Sequence, residues 1–300
     1  MGTPVTGTYP GPRGAERGRR ALPPRGARAA PIVLGAAVVL LQIAYPLLPA
    51  GGARDALTVV TVVVFAAVAV THAWAWRGGR FAVGLVAIAG GIGLMAELVG
   101  VATGFPFGAY EYAGRLGPSV GGVPLVIPLA WTMMAYPAYC VARRLVGQRP
   151  TLGVPLAAWA LTAWDLYLDP QMVAEGHWRW TGDAPALLGI PLSNYAGWLL
   201  VSALITAGLW ALGQRGRPRD GAHTDQVLTP ADHVLTPADG VPYALYLWVW
   251  ASSLLAHGVF FGLPGSAMIG GIGMGVVAVP LAVSLTREHR SAAPRSDHGR

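Results

Sequence analysis

The sequence contains no lysine, a single cysteine and few charged residues of either sign. All 21 basic residues are arginines, so a lysine Schiff base and a lysine general base are excluded. The lone Cys140 excludes an intramolecular disulfide and a metal site built from several cysteines. Walker, dinucleotide-binding (GxGxxG) and HExxH motifs are also missing. Charged residues make up 12% of the chain and hydrophobic residues 54%, which is not the composition of a soluble globular domain.

What the chain has instead is a series of long apolar runs. Runs of about 20 apolar residues are long enough to cross a bilayer as helices. They predict an all-α fold, a polytopic membrane helix bundle with about eight transmembrane helices. The bundle is predicted to form a single domain at 31–285. The expected segments are 32–50, 56–76, 81–102, 123–142, 152–168, 192–213, 243–263 and 266–285.

The arginines indicate the orientation of this bundle. In the eight-helix topology, 18 arginines lie on one face, and only Arg54, Arg115 and Arg179 lie on the other. Cytoplasmic loops carry the excess of basic residues in membrane proteins. We therefore predict that both termini are cytoplasmic and that the connections at 103–122 and 169–191 are on the non-cytoplasmic side.

The segments outside the apolar runs are predicted to be two tails and a linker. Residues 1–30 are rich in Arg, Pro and Gly and are predicted to be a disordered cytoplasmic tail, followed by an uncleaved first helix; a signal peptide is the alternative. Residues 214–242 form a linker in which VLTPAD occurs twice, and 286–300 form a basic tail. We expect the arginine-rich tail to touch anionic lipid, with no nucleic-acid partner.

Two polar islands interrupt the apolar sequence, at 97–112 and 164–198. In the predicted topology both lie at the non-cytoplasmic ends of their helices. Among the polar residues of the islands are the carboxylates of Glu97, Asp165 and Asp169 and the single asparagine of the chain, Asn194. These side chains are therefore expected at one depth, near the same face.

The carboxylates are the candidate catalytic residues. A carboxylate in a membrane span costs about 2.5–3.5 kcal/mol at the centre and usually faces a partner or a cavity, so Glu97 is a plausible proton donor. Asp165 and Asp169 are four residues apart and share a helix face, although Pro170 suggests that the helix ends there. The same spacing also suits helix capping or magnesium–diphosphate binding, so the alternatives stay open.

Aromatic residues are denser in the islands than an interfacial belt requires. Their faces stabilise cations and stack on flat polyenes. His177 could serve as a base or ligand, but no second histidine lies near it, so no metal site is expected. His72 and His257 are expected to pack or to form hydrogen bonds. The candidate substrate-binding residues are Phe105, Phe107, Tyr110, Tyr112, Trp131, Trp164, Trp178, Trp180, Asn194, Tyr195 and Trp198.

The islands also carry a family resemblance. GFPFGAYEYAGRLGPSVGGVPLVIPLAW at 104–131, DLYLDPQMV at 165–173, the WxW at 178–180 and GIPLSNYAGW at 189–198 occur in this order. Together they resemble membrane proteins of carotenoid biosynthesis that hydrate acyclic carotenoid ends, such as bisanhydrobacterioruberin hydratases and γ-carotene 1,2-hydratases. The resemblance covers roughly residues 85–285. It implies cofactor-independent addition of water to a terminal isoprenoid double bond, on a carotenoid taken from the bilayer, and other carotenoid-biosynthesis enzymes as possible partners.

The residues suit that chemistry. Hydration of an alkene needs an acid that protonates it, a shielded tertiary carbocation and a positioned water. We expect Glu97 or Asp165 to be the acid, and the other carboxylate, Asp169 or Asn194 to place the water.

Three rival functions remain open at this stage. A membrane carotenoid cyclase, such as a lycopene cyclase, would share the protonation step, and a polyprenyl transferase would use DxxxD with magnesium. A transporter or carotenoid scaffold is the non-enzymatic alternative, which predicts inverted repeats.

Overall fold

The computed structural model describes residues 25–214 and 239–292. Three predicted features lie outside the described residues. They are the tail at 1–24, most of the linker, at 215–238, with both VLTPAD repeats except the last residue, Asp239, and the end of the basic C-terminal tail at 293–300.

Eight helices make up most of the described residues, so the predicted all-α bundle is confirmed. α3 contains a wider π-helical turn at Val86–Gly90, and α7 ends in another at Ala256–Phe260. The helices are α1 at Arg25–Ala44, α2 at Gly52–Arg77, α3 at Gly79–Thr103, α4 at Ile127–Val146, α5 at Pro150–Ala174, α6 at Leu192–Gln214, α7 at Gly240–Phe260 and α8 at Pro264–Ala292.

Six of the helices are long and apolar enough to cross a membrane: α1, α2, α3, α6, α7 and α8. The chain is thus a multi-pass membrane protein. α4 and α5 differ because they carry more polar side chains and lie inside the bundle. Every residue of α4 from Trp131 to Ala142 is buried, and this helix packs against α2, α3, α5, α6, α7 and α8. The other helices therefore shield the polar side chains of the two central helices from lipid.

Several helix boundaries differ from the predicted ones. α1 begins at Arg25, within the predicted disordered tail, and α8 continues to Ala292, within the predicted basic tail. The prediction that α5 ends at Pro170 was wrong, since the helix continues to Ala174. Proline has no N–H to donate to the carbonyl four residues earlier. The hydroxyl of Ser266 in α8 donates to that carbonyl, on Leu166, at 2.7 Å, so the helix continues without an unsatisfied acceptor.

Short strands, which the sequence analysis did not predict, lie at one end of the bundle. We call this the cap end: it is where α3 and α5 end and α6 begins. The strands form three antiparallel pairs, β1 with β4, β2 with β3, and β5 with β6. They are β1 at Tyr110–Tyr112, β2 at Ser119–Val120, β3 at Val123–Pro124, β4 at Trp178–Trp180, β5 at Ala186–Leu187 and β6 at Ile190–Pro191.

Ion pairs join the connections of the cap end to the helices. Each of the three arginines predicted for this face has a carboxylate partner. Arg54 pairs with Glu175 at 2.5 Å, Arg115 pairs with Asp55 at 2.8 Å, and Arg179 pairs with Glu111 between β4 and β1. The start of α2, the end of α5 and both connections are thereby held together by opposite charges.

His177 lies within this network and gives it a pH dependence. Its ring is buried, and its Nε2 is 3.8 Å from Asp55 Oδ1. Burial lowers the pKa of His177, and the positive charge of Arg115 acts in the same direction against the opposing effect of Asp55. As the pH falls through about 6.5, the unfolded chain binds a proton at this histidine that the folded protein does not bind. The free energy of unfolding therefore decreases with falling pH.

We expect His177→Gln to remove this contribution. The stability of the native protein should fall, relative to the variant, by at most about 1.4 kcal/mol per pH unit below pH 6.5. Thermal unfolding in detergent at a series of pH values from 7.5 to 5.5 measures this difference. A constant difference between the two proteins over this range would contradict the assignment.

Candidate functional site

Glu97 lies in the last third of α3 and is buried. Three donors from other elements surround its carboxylate. The hydroxyls of Tyr110 and Tyr112 donate to Oε2 at 2.5 and 2.8 Å, and Trp131 Nε1 donates to Oε1 at 3.2 Å. Burial and the neighbouring Glu97 carboxylate raise the pKa of both tyrosine hydroxyls, so they remain donors. A carboxylate with three donors is stabilised in its ionised form.

Glycines on either side of Glu97 make room for these donors. Gly93 and Gly100 lie one turn before and about one turn after Glu97, on the same face of α3. A Cβ on Gly93 would be 2.5 Å from the Trp131 side chain, and one on Gly100 would be 2.8 Å from the Tyr110 hydroxyl. The backbone of α3 thus lies closer to these aromatic side chains than it could if either glycine were replaced by a residue with a side chain.

Gly93→Ala is expected to destabilise the protein. The new methyl group overlaps the base of the Trp131 side chain, which cannot move away without shifting α4. Overpacking of this kind costs about 1–3 kcal/mol. The matched control is Gly91→Ala in the same helix, where a Cβ meets nothing within 4 Å. Thermal unfolding in detergent should separate the two variants, and equal midpoints would contradict the packing described here.

The second polar group contains Asp165, Asp169 and Asn194. The two aspartates lie on one face of α5, and Asn194 lies in the first turn of α6. Asn194 Nδ2 donates to Asp165 Oδ2 at 2.9 Å and also to Asp169 Oδ2. Trp178 Nε1 donates to Asp169 Oδ1 at 3.1 Å. The asparagine amide therefore bridges two buried carboxylates, close to the N-terminus of a helix, where negative charge is stabilised.

The antiparallel pair of strands β1 and β4 brings the two polar islands together. Tyr110 is opposite Trp180, Glu111 opposite Arg179 and Tyr112 opposite Trp178. Alternate residues of a strand point to opposite faces, so the aromatic residues face the bundle and the charged pair faces outward. β1 supplies donors to Glu97, and β4 supplies the donor to Asp169. One strand pair thus positions both groups of carboxylates.

Both groups border one apolar cavity of about 90 Å³, which we call the carboxylate cavity. Glu97, Asp169 and Asn194 all line it. Most of the remaining wall is aromatic: Trp131 and Trp198 are stacked with ring centroids 4.0 Å apart, and Trp164 meets Trp198 edge to face at 6.0 Å. The cavity therefore combines acidic groups with tryptophan faces and little other polar surface.

Most predicted site residues meet at this cavity. Asp165 does not line the cavity, but it accepts a hydrogen bond from Asn194, which does. Phe105 is 65% exposed, and Tyr195 donates to the Leu187 carbonyl at 3.3 Å; neither lines the cavity. The predicted residues that do line it are Glu97, Asp169, Phe107, Tyr110, Tyr112, Trp131, Trp164, Trp178, Trp180, Asn194 and Trp198.

The cavity also has lining residues that the sequence analysis missed. They include Thr58 and Val62 of α2 and Met133 of α4. These lie in ordinary apolar runs, without a local sequence signal that distinguishes them from lipid-facing or core positions.

His72 and His257 do not line the cavity. His72 Nδ1 is 2.8 Å from the Tyr136 hydroxyl, and His257 Nε2 is 3.3 Å from Gln171 Oε1, so both form hydrogen bonds as expected. Across residues 25–214 and 239–292, no three His, Cys, Asp or Glu side chains are grouped so that they could hold a metal ion.

Fold and site together define a multi-pass helical membrane protein with buried carboxylates around an aromatic cavity. The family described as "Carotenoid biosynthesis protein" matches residues 56–226, which include all the carboxylates of the site. The chain belongs to this family. The matched region also contains both polar islands, which agrees with the resemblance found in the sequence.

A bisanhydrobacterioruberin hydratase from Haloarcula japonica is similar to part of the chain. The two are 39% identical over 132 residues, a match that covers 41% of this chain and 44% of the relative. The chain therefore spans less than half of the relative's length. No solved structure matches the chain.

Proposed function

We propose that the protein adds water to the terminal carbon–carbon double bond of an acyclic carotenoid. The observation that carries this proposal is that Asp169 and Glu97 line the same tryptophan-walled cavity. Membership of the carotenoid biosynthesis family and the similarity to a hydratase support the substrate class and the reaction.

The aspartate pair is the proposed acid. Two ionised carboxylates that are buried together repel each other, and Asn194 donates only one N–H to each. The pair therefore holds one proton, as carboxylate dyads do in other enzymes. Asp169 accepts a further hydrogen bond, from Trp178, so the proton of the pair resides on Asp165 more readily than on Asp169. Asp169 lines the cavity and Asp165 does not, so the proton reaches the alkene through Asp169, and Asp165 is a positioning residue.

Glu97 has a different role in the proposed reaction. Its three donors favour the ionised form, and a negative charge beside the cavity stabilises a carbocation. The faces of Trp131, Trp164 and Trp198 add to this stabilisation without acting as nucleophiles. The cation is thus surrounded by groups that stabilise it.

The reaction balances without a cofactor. The alkene π electrons form a new C–H bond with the proton of Asp169, and the positive charge moves to the tertiary carbon. A water lone pair then forms the C–O bond, and the proton released from that oxygen returns to the aspartate pair. The net change is one water added, and the enzyme ends in its starting state.

The remaining proposals concern the surroundings of the site. The excess of arginines at the other end of the bundle supports a non-cytoplasmic cap end, with both termini in the cytoplasm. A polyene dissolved in the bilayer would enter from the side between helices. Other carotenoid-biosynthesis enzymes are proposed as neighbours on the basis of family membership alone.

Pigment analysis tests the proposal. The protein is expressed in a bacterium that makes lycopene or an elongated acyclic carotenoid. The pigments are then separated, and their masses are measured by mass spectrometry. We expect a product heavier than the substrate by one water. An isomeric product of unchanged mass would indicate a cyclase instead, and unchanged pigments, with the protein present in the membrane, would contradict the enzymatic proposal.

A further inference from the structure

A second cavity lies beside the carboxylate cavity, between α1, α2, α5 and α7. Its volume is about 130 Å³. We call it the hydroxyl cavity because several hydroxyl side chains line it: Tyr45 after α1, Thr58 and Thr61 of α2, Tyr167 of α5, and Ser252 and Ser253 of α7. Among the residues that the structure describes, none of those lining it carries a charge.

Two of these hydroxyls are buried without a partner. Thr61 Oγ1 and the Tyr167 hydroxyl form no hydrogen bond with any described atom, although Thr61 is only 9% exposed and Tyr167 only 1%. An unsatisfied buried hydroxyl is costly. Polar cavities with several such groups are the places where proteins hold internal water, which needs about two to four polar partners. The lining thus suits a small neutral ligand that both donates and accepts hydrogen bonds.

The two cavities share a wall. Thr58, Val62, Met133, Trp164, Leu168 and Met172 line both of them. Thr58 carries the one hydroxyl in this shared wall, and it lies one turn before Thr61 on the same face of α2. The hydroxyl of Thr58 donates to the Arg54 carbonyl at 3.0 Å, so its oxygen can still accept a hydrogen bond from a water at the shared wall.

The carboxylate cavity has little capacity to store water itself. Three donors already occupy Glu97, and both N–H bonds of Asn194 are directed to the aspartates. The rest of its lining is mostly apolar and aromatic. A water held there in advance would also compete for the proton that the alkene needs.

We infer that the hydroxyl cavity holds the water that is added to the substrate, and that Thr58 passes it through the shared wall to the carbocation. This inference rests on the proposed hydratase function. The water oxygen forms the C–O bond, its proton goes to the aspartate pair, and another water of the hydroxyl cavity takes its place. Storage behind the wall keeps water away from the acid until the cation exists.

The test separates protonation from capture by water. In heavy water, a protonation leaves deuterium in the carotenoid when the cation is captured by water or loses a methyl proton and becomes an alkene again, but not when the cation returns the same deuteron to the acid. Total deuterium therefore counts the protonations that are not directly reversed, and the alcohol counts captures. For Thr58→Val combined with Thr61→Val, we expect the ratio of alcohol to deuterium to fall about tenfold, because both replacements remove hydroxyls and keep the side-chain volume.

The matched control is Thr162→Val. The Thr162 hydroxyl is also buried without a partner among the described atoms, but it lines neither cavity, so the ratio should stay at the native value. Ser253→Ala, on the opposite wall, serves as the second variant if the double variant does not fold. It should lower the ratio in the same direction.

Other outcomes would overturn the inference. An unchanged ratio in the double variant and in Ser253→Ala would show that the hydroxyl cavity does not supply the water. A raised KM for hydroxyl-bearing carotenoids alone, with an unchanged ratio, would assign the cavity to a hydroxyl of the substrate instead. If the native protein gives neither alcohol nor deuterium with any acyclic carotenoid, the proposed function itself has failed, and the inference falls with it.

Discussion

Asp169→Asn is expected to lower the rate of carotenoid hydration by about 10²–10⁴-fold, which is the contribution of a positioned general acid. The replacement keeps the size of the side chain and an oxygen that can accept from Trp178. It removes the proton source that lines the cavity, and Asp165 is not in contact with the cavity to replace it. The measurement is the amount of alcohol formed per amount of protein in isolated membranes, with thermal unfolding to verify the fold.

Asp183→Asn is the matched control for this variant. Asp183 is an exposed carboxylate in the connection between β4 and β5, and its loss should leave hydration unchanged. Loss of hydration in Asp169→Asn should be accompanied by loss of deuterium uptake from heavy water, because the carbocation never forms. Hydration at the native rate in Asp169→Asn would show that another group is the acid.

Glu97→Gln is expected to lower hydration by about 10²–10³-fold, the range found when one electrostatic contact with a transition state is removed. Glutamine is neutral, so it no longer stabilises the cation. Its amide nitrogen must also face one of the three donors that surround Glu97, at a cost of about 1–3 kcal/mol in stability.

Two readouts separate these effects. Loss of charge stabilisation lowers kcat with little change in KM, because the polyene binds mainly through aromatic contacts. A variant that is merely unfolded shows a lower melting temperature and no activity at any substrate concentration. Glu111→Gln is the control, since Glu111 is half exposed and pairs with Arg179 on the outside of the same strand. Equal kcat values for Glu97→Gln and Glu111→Gln would contradict the role of Glu97.

The bundle could be predicted from the sequence because its signal is local. Apolar runs of the right length identify membrane helices without knowledge of their neighbours. The end of α5 could not be predicted, since Pro170 is tolerated through a hydroxyl of Ser266 that comes from a distant helix. Strands β1 and β4 were missed for a similar reason: each is three residues long and is stabilised by a partner 68 residues away.

The site could be predicted in part. The carboxylates and tryptophans stand out because they are costly or rare in membrane spans, and the arginine count placed them at one depth. The sequence does not indicate in which direction a side chain points, so contacts that depend on this direction could not be predicted. Phe105 and Tyr195 belong to the aromatic cluster in sequence but turn away from the cavity, whereas Thr58 and Met133 reach it from helices with no polar island.

The most direct test of the account is the origin of the product oxygen. Membranes that contain the native protein or Asp169→Asn are incubated with an acyclic carotenoid in water enriched in heavy oxygen, and the mass of the alcohol is measured. We predict that the native protein forms an alcohol with one heavy oxygen atom per hydration, and that Asp169→Asn forms almost none. An alcohol without heavy oxygen, or equal labelling by the two proteins, would contradict acid-catalysed hydration at the carboxylate cavity.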